Sequence, residues 1–234
     1  MLLCILWVGV FCIIVCINII FPVMNYIEKE VIFMSKVYIV GLGPGNKDYI
    51  LPKAISTLEK CDLIIGFRRA IKSIEFLKKN KKIVNSLKEI LSIIKTNNYN
   101  NIGIVASGDP CFYGITVYLS KNVNIDLEII PGISSFQYLM SKISMPWQGA
   151  YLGSMHGRKE EFLNSVKKND ISIWLTDNKN TPSELCKILI ANSIDAVIYV
   201  GENLSYDDEK IIDGKTSDIV NMTFSELCVV VIKR

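Results

Sequence analysis

The chain has 234 residues, 50% of them hydrophobic, with 26 Lys and Arg against 23 Asp and Glu for a net charge of +3. That gives room for one large or two small domains with ample core, and it excludes an intrinsically disordered chain. The near-balanced charge, with no basic stripe interleaved with aromatics, also argues against nucleic acid as a partner.

Met1 to Met24 carry no charged side chain and are mostly Leu, Ile, Val, Phe, Cys and Trp, a run long enough to span a bilayer. No Lys or Arg precedes it and no small-residue cleavage site follows, so a secretory signal fits poorly. Residues 1–34 therefore read as a hydrophobic leader with two possible meanings. Either 1–24 anchor the protein in a membrane, or the start is assigned too far upstream and the working protein begins at Met34. The second is preferred, because Met34-Ser35-Lys36 leads straight into a strand and nothing downstream refers to a membrane. An odd count of seven cysteines without a CxxC pair indicates reduced thiols and a cytoplasmic location. His156 is the only histidine, so no protein-built metal site is expected.

From Lys36 onward short apolar runs alternate with helical patterns, the signature of an α/β protein with largely parallel sheets. Strands are predicted near 36–40, 62–66, 82–84, 102–106 and 126–130. Between the first two, Leu51, Ala54, Ile55 and Leu58 share one face of a helix over 50–60, with Pro52 tolerated in its first turn. The lysines at 78, 79, 81 and 82 read as a solvated helix end and loop. A helix near 133–143 stops before Met145-Pro146-Trp147, where the pattern restarts, which divides the chain into lobes at 35–145 and 146–234. The second lobe is predicted to hold strands near 149–153, 171–175, 196–200, 209–213 and 227–232, with helices near 158–168 and 182–192. Asp208 to Gly214 followed by a C-terminal strand mixes antiparallel pairs into its sheet. The expected architecture is two α/β lobes with a cleft between them.

Three loops each follow a strand-like run: Gly41-Leu42-Gly43-Pro44-Gly45, Ala106-Ser107-Gly108-Asp109-Pro110-Cys111-Phe112-Tyr113-Gly114, and Pro131-Gly132-Ile133-Ser134-Ser135. The second reads either as a ligand loop or as an ordinary turn with Asp first and Pro second. The first invites a dinucleotide fingerprint, with Asp62 about 20 residues on. Three details oppose that: Asn46 stands where a glycine is wanted, Asp62 precedes its strand, and Pro44 removes a backbone donor. Neither a P-loop lysine pattern nor a nucleophile elbow is present.

With their spacing intact these loops resemble the tetrapyrrole methylases, S-adenosylmethionine enzymes that methylate uroporphyrinogen and the precorrins. The resemblance covers essentially all of 36–234. It is nearer to the subgroup acting on carbon 5 of cobalt-precorrin-7, on Met145-Pro146-Trp147-Gln148, Met155-His156-Gly157-Arg158, Leu175-Thr176-Asp177, Asn180-Thr181-Pro182 and Gly201-Glu202-Asn203-Leu204 as well as the loops. The resemblance implies a two-lobed fold, mostly parallel in the first lobe and mixed in the second, with S-adenosylmethionine in the cleft. Pro44 would lie against the cofactor, and Ser107, Gly108, Asp109 and Phe112 would wrap its methionine and ribose parts. Ser134 and Ser135 would close the other side, and Leu175 and Leu204 would contact adenine. Asp109 would pair with the ammonium or accept from the ribose hydroxyls. It further implies a cobalt-precorrin substrate, a homodimer, and a separate enzyme for carbon-15 methylation and decarboxylation. Other precorrin positions, or a protein or RNA acceptor, are the alternatives.

Methyl transfer from a sulfonium asks mainly for alignment and exclusion of water, so no acid and base pair is expected. His156 reads either as a substrate contact or proton acceptor, with Arg158 binding a peripheral carboxylate, or as a loop cap before the helix at 158–168. Arg68 and Arg69 either clamp carboxylate arms or open a solvated helix. Tyr113 and Trp147 either stack on a flat ring or pack in the core. Cys111 reads as a small buried hydrophobe.

Overall fold

The computed structural model describes residues 36–96, 99–155 and 161–234. The readings placed on residues 1–34, on His156 and on Arg158 lie outside the described residues.

The first half folds around one all-parallel sheet. Its strands are β1 (Lys36–Gly41), β2 (Leu63–Gly66), β3 (Lys81–Ile83), β4 (Asn101–Ala106) and β5 (Leu127–Ile130), in the order β3-β2-β4-β1-β5. The inner strands read as continuous apolar runs because both faces are covered. Val37, Ile39, Leu63, Ile65, Ile102 and Ile104 face α3 (Leu87–Thr96) and α4 (Thr116–Asn122). Val40 and Ile64 face α1 (Pro52–Leu58) and α2 (Arg68–Lys72). The lysine run differs from its expectation. Lys81 and Lys82 belong to the edge strand β3, and Lys79 Nζ donates to the Glu59 carbonyl at 2.7 Å. Lysines on an edge strand discourage pairing with another chain.

The second half is a mixed sheet of β6 (Tyr151–Ser154), β7 (Ile171–Leu175), β8 (Val197–Glu202), β9 (Lys210–Lys215) and β10 (Cys228–Lys233), in the order β6-β7-β10-β8-β9. Only β6 and β7 are parallel; the C-terminal strand inserts between β7 and β8, antiparallel to both. One face is covered by α6 (Phe162–Lys168), α7 (Pro182–Ala191) and the short α8 (Thr216–Ile219), around a fully buried Trp174. Trp174 Nε1 donates to Ser172 Oγ at 2.9 Å, so this indole is satisfied inside the core.

The other face is covered by α5 (Ser135–Lys142), which follows β5 of the first sheet. Its Phe136, Leu139 and Met140 pack on Ile173, Val229 and Val231. The chain thus passes from one sheet to the other through a helix buried against the second, which brings the two halves together at the loop preceding that helix. Among the described residues no helix is long and apolar enough to cross a membrane.

Candidate functional site

The loops after β1, β4 and β5 leave the carboxyl ends of adjacent strands, where open α/β sheets hold ligands. They are locked together through glycine backbone. The Gly43 N–H donates to the Gly108 carbonyl at 3.3 Å, and the Gly108 N–H donates back at 2.7 Å. A Cβ on Gly41 would stand 2.7 Å from both Gly108 O and Gly132 N, and one on Gly132 only 2.3 Å from Gly108 O. These glycines answer a three-way approach of backbone. After Gly45 the chain makes a 3₁₀ turn, Lys47–Tyr49, capped by Asn46, whose Oδ1 accepts the Asp48 N–H at 2.9 Å. The first α-helix begins only at Pro52, so no helix N-terminus meets this loop as a pyrophosphate would need. Asp62 accepts the Asn101 N–H at 2.9 Å, at the amino end of β4 and away from the loops. The dinucleotide geometry is absent.

Asp109 is both turn and site. Phe112 N–H donates to the Asp109 carbonyl at 3.2 Å, closing the Asp-Pro turn, while Oδ1 accepts the Cys111 N–H at 2.8 Å. Oδ2 accepts the Gly132 N–H at 3.1 Å, which ties this loop to the one after β5. At the start of α5, Gln137 Oε1 accepts the Ser134 N–H at 2.8 Å. Cys111 departs from its expected burial: it is exposed, because its position in the turn directs it outward toward Thr116.

The loops and the facing strand ends of the second sheet enclose a cavity of about 290 Å³, near the lower end of the usual range for ligand pockets. The nine residues expected at a cofactor all line it: Pro44, Ser107, Gly108, Asp109, Phe112, Ser134 and Ser135 from one side, Leu175 and Leu204 from the other. Arg69 and Tyr113 line it too. Arg68 does not and is exposed. Trp147 is also exposed and meets the wall only indirectly, edge-on to Phe136 at 5.4 Å, which tilts against Phe112 at 4.7 Å. Among the lining residues Arg69 and Asp109 carry the only charges.

Sequence reasoning assigned no site role to Ser154, Thr176, Asn203, Tyr206, Cys228 and Val229, which also stand on the wall, although Thr176 and Asn203 fall within quoted motifs. The available signal was positional, since each lies at or just beyond a strand end of the second sheet. Burial pushes the Cys228 thiol up to about 12, so it stays protonated at neutral pH. Two contacts fasten the halves across the cavity. Tyr113, at a left-handed φ of 51°, donates its hydroxyl to the Leu152 carbonyl at 3.0 Å. On the other side Asn46 N–H donates to Ser205 Oγ at 2.9 Å, Ser205 also being left-handed at φ 68°. Non-glycine residues in that region mark backbone held by its surroundings, and here they flank one cavity.

Comparison with known proteins agrees with this geometry. Residues 36–220 match the family model of tetrapyrrole (corrin/porphyrin) methylases. The chain is 38% identical, over 83% of its own length and 96% of the relative's, to a probable cobalt-precorrin-7 C(5)-methyltransferase of Methanocaldococcus jannaschii. It is 30% identical, over 82% and 83%, to a cobalt-precorrin-4 C(11)-methyltransferase of the same organism. Among solved structures, the precorrin-6Y methylase of Archaeoglobus fulgidus superimposes with a TM-score of 0.69 at 20% identity, covering 85% of this chain and 98% of that one. The chain belongs to the tetrapyrrole methylases and is an S-adenosylmethionine-dependent methyltransferase.

Proposed function

We propose that this protein transfers a methyl group to carbon 5 of cobalt-precorrin-7, giving cobalt-precorrin-8 in cobalamin biosynthesis. The observation that carries this reading is the 38% identity along nearly the whole length of the relative named for that reaction. A second position, carbon 11 of cobalt-precorrin-4, has support from the 30% relative and is the competing reading.

The cavity wall suits the cofactor. Leu175, Leu204 and Val229 offer an apolar slot for a flat base, and Ser107, Ser134 and Ser135 offer hydroxyls to a ribose and an amino acid moiety. Asp109 keeps unused lone pairs beside its two backbone bonds, so it can still accept from an ammonium or a sugar hydroxyl. S-adenosylmethionine supplies an electrophilic methyl group on a sulfonium. The residues have three tasks: to bind, to orient the acceptor carbon, and to keep water away. The glycine clamp fixes the loops before ligand arrives, which lowers the ordering cost of binding. Arg69 and Tyr113 contact the substrate in this reading. Arg68, Trp147, His156 and Arg158 keep the substrate roles assigned from the resemblance, with His156 the one proton acceptor. The enzyme acts as a homodimer, and a separate protein methylates carbon 15 and removes the carboxyl group.

The test incubates the purified protein with S-adenosylmethionine and cobalt-precorrin-7, then with cobalt-precorrin-4. Mass spectrometry should show one added CH₂ unit on the first, with NMR locating it at carbon 5. Methylation of cobalt-precorrin-4 alone would transfer the assignment to carbon 11.

A further inference from the structure

Arg69 is the only cation on the cavity wall among the described residues, and no carboxylate there lies within ion-pair distance of it. Its guanidinium instead stands 5.9 Å from the centroid of the Tyr206 ring, inside the range of a cation–π contact. The ring is itself held in place. Tyr206 N–H donates to the Asn203 carbonyl at 3.0 Å, and the neighbouring Ser205 takes the Asn46 N–H. Tyr206 also presses on Gly45 so closely that a Cβ there would come within 2.4 Å of the ring. Gly45, the last glycine of the first loop, therefore lets an aromatic from the second half cross to the first. One half supplies the arginine backbone from α2, and the other supplies the ring that orients its head.

A guanidinium on a cavity wall with no carboxylate in ion-pair reach is completed by a ligand that brings an anion to it. The cofactor is a poor candidate. Its ammonium and sulfonium outnumber its single carboxylate, so it is a net cation and gains little beside Arg69. A tetrapyrrole with acetate and propionate arms is a polyanion. Its macrocycle also presents several similar carbons, and only a fixed contact to one arm can select which carbon faces the methyl group.

We propose that Tyr206 is a positioning residue that holds Arg69 to receive one peripheral carboxylate of the tetrapyrrole, and that this pair sets the rotational register of the macrocycle. The proposal rests on the tetrapyrrole reading of the substrate but not on carbon 5. Arg69 binds the carboxylate through its planar fork, and Tyr206 acts only through Arg69.

The experiment measures binding of uroporphyrin III, a stable tetrapyrrole with carboxylate arms, by its own fluorescence, and binding of S-adenosylhomocysteine by calorimetry. The same variants are assayed for KM and kcat on the accepted precorrin. Arg69→Gln and Tyr206→Leu should each weaken uroporphyrin III about tenfold or more, as loss of a charge-assisted bond predicts. KM should rise in parallel and kcat should fall as the acceptor carbon loses its alignment, while Tyr206→Phe, which keeps the ring, should behave as wild type. S-adenosylhomocysteine affinity should stay within about twofold in all three, which also shows that each variant is folded. Loss of S-adenosylhomocysteine binding in Arg69→Gln would assign the arginine to the cofactor and overturn the proposal. So would unchanged uroporphyrin III binding in Tyr206→Leu. Because the binding arm needs no turnover, failure of the carbon-5 assignment in the methylation assay is separable from failure here.

Discussion

Asp109 joins two backbone N–H groups that belong to different loops, so its removal is felt twice. Asp109→Ala leaves the Gly132 and Cys111 N–H groups without their acceptor, at about 1–3 kcal/mol for each that remains buried. The loops then lose their mutual register, and S-adenosylhomocysteine affinity should fall at least about tenfold in calorimetry. Asp109→Asn retains one carbonyl oxygen and should fall between Ala and wild type. A lowered unfolding midpoint with unchanged affinity would confine Asp109 to scaffolding. Glycine positions separate sterics from conformation in the same way. Gly132→Ala would push a Cβ to 2.3 Å from Gly108 O, and only a backbone shift relieves that. Gly149 has a φ of 76° but nothing within 4 Å of its Cβ, so Gly149→Ala should cost only the left-handed penalty, roughly 1 kcal/mol. Urea unfolding of the two variants should therefore differ by more than that amount, with cofactor binding lost only in Gly132→Ala.

At the scale of elements, what joins the halves is a helix and a few side chains. Tyr113→Phe keeps the ring on the cavity wall and removes the hydroxyl bond to Leu152 O, an expected loss of about 1 kcal/mol. For a domain of this size that lowers Tm by roughly 2–4 °C, measurable by circular dichroism. An unchanged Tm would mean that the bond is exchanged freely with water. The strands were legible in the sequence because β1, β2, β4 and β10 are buried on both faces and read as unbroken apolar runs. The four residues of α8 carry no period long enough to register. The cavity was legible where glycine, proline and aspartate mark loops, which is why nine expected residues meet around it. Tyr206 escaped notice because its partners, Gly45 and Arg69, lie in the other half of the chain and no local pattern announces a contact across a cleft. The link from Asp109 to Gly132 was hidden likewise, the residue being readable but not its partner.

The molecule as a whole carries its thiols in a way that links both halves to pH. Cys61 lies in the core between the first sheet and α1, and burial pushes its thiol up from 9.0 to about 11. Cys186 and Cys228 lie in the core of the second sheet, and burial pushes each up to about 12. In each case the folded protein holds the proton more tightly than the unfolded chain does. Stability from this source is therefore complete below about pH 9 and declines as pH rises through 11 and 12, since the unfolded chain alone gains by ionising. Urea midpoints should accordingly fall above about pH 9, and Cys186→Ala should flatten that fall even though it lowers stability at neutral pH by leaving a small cavity. Among the cysteines of the described residues, exposed Cys111 should react first with a maleimide probe, because the other three are buried. Cys228 differs from the other buried thiols in lining the cavity. Its slow labelling should be suppressed further by S-adenosylhomocysteine, while Cys186, buried on α7 in the same core but off the cavity wall, should be protected only by the global stabilisation that ligand binding confers. Comparing the two rates in one protein distinguishes occupancy of the cavity from a general tightening of the fold, and equal protection of both thiols would indicate that the ligand binds elsewhere.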